Sequence, residues 1–197
     1  MGTFPATLDA VPRISGGPTI QFAYDERKAG ELAARLIELS GGSMPMLKLL
    51  KLMFLADKES LIETGFPITG DSIVAMEMGP VPSGTYDRLK PSGALPFVAS
   101  EPGNVTLQAP PPKHGRLSDY EIEVAQRVYK KFGHMTGQQL INYLHKHAPE
   151  WTPPAAGSSH AIDPADMLRA AGRPESEIKA IEVQASYFRN VERRYAL

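Results

Sequence analysis

MPMLKLLKLMFLADKESLIE, residues 44–63, reads as one long helix whose apolar side chains cover most of its circumference. Ser43 is placed to cap it, and Pro45 falls in the first turn, where a missing N–H costs nothing. On a helical wheel Lys48, Lys51, Lys58 and Glu59 share a narrow strip, while Met46, Leu47, Leu49, Leu50, Met53, Phe54 and Leu61 spread over the rest. A helix that apolar has to be wrapped by others. Asp57 lies nearly opposite the lysine strip, among Met46, Leu50, Met53 and Leu61. A carboxylate there requires a partner, because burying it alone costs several kcal/mol or keeps it protonated.

Helices are expected on both sides of this rod. Asp25 opens one that runs to Ser40 with Ala29, Leu32, Ala33, Leu36 and Ile37 on one face, ended by Gly41-Gly42. Ser118 with Glu121 and Thr136 with Gln139 have the spacing of capping boxes, each ahead of an apolar periodic run. Asp163-Pro164 starts a short helix, and Pro174 starts the last one. Between them, Ser72 to Met78 alternates as a strand, and Leu95–Ser100 with Val105–Gln108 form a hairpin about Pro102-Gly103-Asn104. These three strands predict one small antiparallel sheet. Pro82 starts a short helix to Lys90 carrying Tyr86, and Ala109 to His114 is a stiff, proline-rich connector. The expected class is α+β, mainly α-helical: a central buried helix wrapped by helices, with a three-stranded sheet. Residues 1–23, rich in Gly, Pro, Thr and Ser, read as an extended or disordered arm before a single domain over 24–197.

Composition narrows the function. The 197 residues include no cysteine, which removes disulfides, thiol catalysis and thiolate metal sites together. No signal peptide and no apolar run long enough for a bilayer is visible, so a soluble, cytoplasmic protein without membrane association is expected. A formal net charge of −1 argues against nucleic acid as a partner. The second capped helix of the 118–147 pair offers glutamine, asparagine, histidine and lysine but no arginine, which is weak chemistry for reading a major groove. His145 and His147 are two apart and fall on different helix faces, with no metal-binding pattern around them. Ser158-Ser159-His160 lacks the context of an activated nucleophile. In Gly79-Pro80-Val81-Pro82-Ser83-Gly84 two prolines remove N–H groups that a phosphate cradle uses. No cofactor and no catalytic residue is expected.

The last helix carries Ile178, Ile181, Ala185 and Phe188 as a core stripe, and Val183, Tyr187 and Val191 as a second stripe round the circumference. Two stripes need two packing partners, either both within the chain or one on another chain.

Taken together, LLKLMFLAD (49–57), GFPITGD (65–71), AMEMGPVPS (75–83) with Tyr86-Asp87, LSDYE (117–121), Gly133 and HAPEW (147–151) resemble the Panacea domain, the SocA-like antitoxin family, over roughly residues 26–188. The resemblance implies a bacterial or phage antitoxin that neutralises a cognate protein toxin by contact and is not an enzyme. It marks Asp57, Gly79, Pro80, Tyr86, His147 and Trp151 as shared framework, with toxin contact as a second role. From the residues themselves, the last helix with Val183, Tyr187, Arg189 and Val191, the Trp151 loop and the N-terminal arm are the candidate toxin-binding patch. Presentation of the toxin to a protease, self-association into a homo-oligomer, and DNA-binding autoregulation of its own operon are the alternatives.

Overall fold

The computed structural model describes residues 18–195, with side chains through Val191. In chain order the elements are α1 (Glu26–Leu39), β1 (Ser43–Pro45), α2 (Met46–Thr64), β2 (Ile73–Met76), β3 (Gly79–Pro82), α3 (Ser83–Arg88), β4 (Val98–Glu101), β5 (Asn104–Leu107), α4 (Asp119–Phe132), α5 (Gly137–His147), β6 (His160–Ala161), α6 (Pro164–Ala170) and α7 (Glu175–Tyr195). The mainly helical α+β class follows directly from this list.

α2 is the axle. It packs against α1, α4, α5, α6 and β3, and Leu49, Leu50, Leu52, Met53, Phe54, Ala56 and Leu61 are all buried. Its start differs from the expected capped turn: Ser43 belongs to β1, Pro45 is the N-cap residue, and no side chain caps the helix. The first turn is tied instead by Met46 N–H, which donates to Gly103 O at 3.1 Å. At the other end Gly65, at φ +85°, reverses the chain, and a Cβ there would lie 3.0 Å from Ile181 of α7. Only glycine meets both demands.

The helices flanking α2 begin where their caps predict. Asp25 accepts from Lys28 N–H, Ser118 and Thr136 each form complete capping boxes with Glu121 and Gln139, and Asp163 accepts from Ala165 N–H. Leu32, Leu36 and Ile37 of α1, Val124, Ala125 and Val128 of α4, and Leu140 of α5 join α2 in one core cluster. A second cluster joins Phe54 and Leu61 to α6 and α7 through Met167, Leu168, Ile178, Ile181 and Ala185.

The sheet is where pattern and structure part. In place of one three-stranded sheet there are two, ordered β1-β5-β4 and β3-β2-β6. The β4–β5 hairpin turns at Pro102-Gly103 as predicted but pairs with β1, Ser43 facing Thr106 and Pro45 facing Asn104. Three residues running into a helix carry no readable alternation, which hides β1. β2 turns at Glu77-Met78 and pairs with β3, Met76 facing Gly79 and Ile73 facing Pro82. The prolines of β3 are tolerated because it is an edge strand, where a proline removes no central ladder bond.

Residues 18–23 lie against the domain. Thr19 N–H and Oγ1 both donate to Asp163 Oδ2, at 2.6 and 2.7 Å, and Ile20 is buried in the second cluster. The rest of the expected arm, residues 1–17, is outside the described residues.

Candidate functional site

Asp57 finds its partner in the loop that follows α2. Thr69 N–H donates to Asp57 Oδ1 at 2.9 Å and Thr69 Oγ1 donates to Oδ2. The same hydroxyl oxygen accepts from Asp71 N–H, and Asp71 in turn accepts from Gly84 N–H, Thr85 N–H and Thr85 Oγ1 at 2.7–2.8 Å. Those amides are the first turn of α3, whose N-cap position is Pro82 and carries no capping oxygen. Asp71 thus caps α3 from a distance, and the pair of acids fastens residues 65–71 and α3 to the axle. Burial pushes the Asp57 carboxyl up to about 7, against the pull of the Thr69 bonds, and raises Asp71 as well. Both carboxylates are engaged in holding loops.

The lysine strip of α2 faces inward as well as outward. Lys51 is fully buried, and its Nζ donates to Pro80 O at 2.8 Å. No carboxylate lies within ion-pairing distance of it among the described residues, and burial draws the amine down to about 7. Lys48 donates to Gly133 O and Lys58 pairs with Glu150 at 2.6 Å, so all three lysines stitch α2 to other elements. Gly79, at φ +95°, sits over this amine: a Cβ there would be 3.4 Å from Lys51 Nζ and 3.7 Å from His145 Nε2. His145 stacks on Trp151, ring centres 4.0 Å apart and planes 7° from parallel, and the indole N–H donates to Met76 O at 3.1 Å. One knot therefore joins Lys51, Gly79, Pro80, His145 and Trp151. Tyr86 packs half-buried against the main core with Lys90 Nζ 4.7 Å from its ring centre, and His147 stands apart from the knot, against Tyr143.

Lys51 and His145 are the members that sequence reasoning passes over. A wheel places Lys51 beside Lys48 and Lys58, and nothing in the spacing separates a lysine over an edge-strand carbonyl from one facing water. Only the pairing of β2 with β3 brings Pro80 O above it.

On α7, Ile178, Ile181 and Ala185 turn inward, while Val183 and Tyr187 are 61% and 65% exposed. Phe188, expected with the core stripe, is 48% exposed, because α7 crosses the end of α2 at Gly65 and its later turns run past the core. Its ring is the third in a chain of edge-on contacts, Phe22–Phe66–Phe188–Tyr187, with centroids 5.7, 6.1 and 5.8 Å apart. Arg189 donates to Gln21 Oε1, Val191 is half-buried, and a depression of about 330 Å³ lies between Thr19, Val183, Ser186 and Arg189. α7 and residues 19–22 therefore form one surface. Trp151, expected in the same patch, has its ring and N–H committed to His145 and Met76.

Among the described residues no helix is long and apolar enough to cross a membrane. A family model described as the SocA-like antitoxin, Panacea domain, matches residues 49–152, from the first turn of α2 to just past Trp151. Neither the curated proteins nor the solved structures contain a match to the chain.

Proposed function

The chain belongs to the SocA-like antitoxin, Panacea domain family, and from that premise we propose that it neutralises a cognate protein toxin by direct, stoichiometric contact rather than by catalysis. The observation that supports this reading is the exposed apolar face of α7. Val183, Tyr187 and Phe188 present a contiguous surface, linked through Phe66 and Phe22 to the body of the domain. Large exposed apolar patches on a water-facing protein mark partner surfaces, and aromatic residues with an adjacent arginine are the usual anchors. Here the rings are braced edge-to-face, so little side-chain freedom is left to lose on binding. Val183, Tyr187, Arg189 and Val191 are the proposed contacts. Asp57, Gly79, Pro80, Tyr86, His147 and Trp151 are proposed as the framework that holds the domain in shape.

The test is co-expression with the product of the adjacent reading frame, after showing that this product kills alone. Tyr187→Ala and Phe188→Ala, at exposed positions, should abolish growth rescue and weaken binding by at least about tenfold while the thermal melt stays close to wild type. Full rescue by the double variant would remove α7 from the interface. A partner that disappears only when a cellular protease is present would favour delivery over covering, and retardation of upstream DNA in a gel shift would favour autoregulation.

A further inference from the structure

A second concavity shares no residue with the α7 face. Between α2, α4 and α5 runs a groove of about 290 Å³. Its apolar lining is Leu55 and Ile62 of α2, Phe132 of α4 and Leu144 of α5. Along one wall the rings of Phe132, Tyr143 and His147 follow one another, centroids 5.0 and 4.5 Å apart.

The charges at this groove are nearly all committed. Glu59 and Glu63 belong to Arg127, at 2.8 Å each, and Glu63 also accepts from the Tyr120 hydroxyl. Lys58 belongs to Glu150. Lys131 is exposed, has no carboxylate within ion-pairing distance among the described residues, and holds its Nζ 5.1 Å from the centre of the Phe132 ring. The groove thus offers apolar depth, an aromatic wall and one uncommitted cation beside them. Its volume is just under the roughly 300–1,000 Å³ of pockets that enclose a whole small ligand, which suits a side chain or two of a larger partner. Every lining residue lies within residues 49–152, the stretch that matches the family model, whereas α7 lies outside it.

We propose that this groove is a second docking site, and that it takes a segment of a protein partner in which a large apolar side chain adjoins a carboxylate. The apolar side chain enters over Leu55, Ile62 and Leu144, and the carboxylate pairs with Lys131. This does not rest on the α7 reading, and either can fail alone. The probes are the blocked dipeptides N-acetyl-Phe-Glu-amide and N-acetyl-Phe-Gln-amide, titrated into the full chain at low salt and followed by the ring resonances of Tyr143 and His147. Saturable shifts are expected, with the glutamate peptide binding about fivefold more tightly, the upper end of what one partly exposed ion pair supports. Lys131→Glu, at an exposed position, should reverse that preference, Lys131→Arg should keep it, and Tyr187→Ala should leave it unchanged. Equal binding of the two peptides, a preference that survives Lys131→Glu, or the absence of saturable shifts at these rings would overturn the proposal.

Discussion

Replacing Lys51 by Met should stabilise the protein in mild acid and destabilise it in alkali. The side chain is fully buried, its stem lies among core residues, and its amine has a single acceptor, Pro80 O. Burial draws the folded-state amine from 10.5 to about 7. That gap corresponds to about 4–5 kcal/mol of disfavoured charge wherever both folded and unfolded chains are protonated, at about 1.4 kcal/mol per unit. Methionine is unbranched and of similar length, so it fills the space with little repacking, but it leaves Pro80 O unpaired at a cost of about 1–3 kcal/mol. Below pH 7 the first effect wins, and Lys51→Met should gain about 1–4 kcal/mol. The unfolded lysine holds its proton up to its ordinary value, whereas the folded one has lost it, so the wild type gains stability as pH rises from 7 towards 10.5. Above that range only the lost hydrogen bond remains, and the variant should be the weaker protein by about 1–3 kcal/mol. Urea titrations of both proteins at pH 6 and pH 10.5 test this, since the titration of every other group largely cancels in the difference. A variant that is destabilised at pH 6, or a difference that does not change sign between the two pH values, would refute the account of Lys51 as a cation buried at a loss.

Three further outcomes follow from the same framework. Asp57→Ala, which strands two buried Thr69 donors, should cost about 2–4 kcal/mol in chemical denaturation and Asp57→Asn about half that. Because burial raises the Asp57 carboxyl to about 7, the folded chain binds a proton that the unfolded chain has released between pH 4 and 7. Wild-type stability should therefore fall across that window, and the fall should flatten in Asp57→Asn. Trp151→Ala should cost about 2–4 kcal/mol, visible as a lower melting temperature, because it empties a partly buried aromatic site and removes the indole N–H that ties Met76 O to the loop. Thr136→Ala and Ser118→Ala should each lower stability by about 1 kcal/mol, and their effects should add, since each removes one cap from a different helix.

The helical part of this fold is legible because each helix announces itself twice, once by apolar period and once by a cap. Asp25, Ser118, Thr136 and Asp163 each meet the backbone N–H that their spacing predicts. Strand pairing is not announced in that way. β1 is three residues long and β3 contains two prolines, so one carries too little pattern and the other carries a pattern that argues against a strand. The burial of Asp57 is readable, because it sits within an apolar arc of a helix that has to be covered on that side. That of Lys51 is not, because its cover is an edge strand recruited from 29 residues further on.

The same asymmetry guides which candidate residues are proposed as framework and which as contacts. Trp151 looks like an interface anchor by residue type, yet its face is taken by His145 and its N–H by Met76. Tyr187 has the same credentials, and the residue is 65% exposed with Phe188 edge-on to its ring. Residue type is identical evidence for both, so only burial and committed hydrogen bonds tell them apart. Loss of Trp151 should therefore reduce toxin rescue only in proportion to the fraction of folded protein it removes, and supplying more protein should restore it. Loss of Tyr187 should reduce rescue at unchanged folded fraction, and raising expression should recover it only as far as mass action allows. Rescue measured against soluble folded protein, for both variants across an expression series, separates the two roles. A Trp151→Ala protein that remains fully folded but fails to rescue at any dose would place the indole in the interface after all.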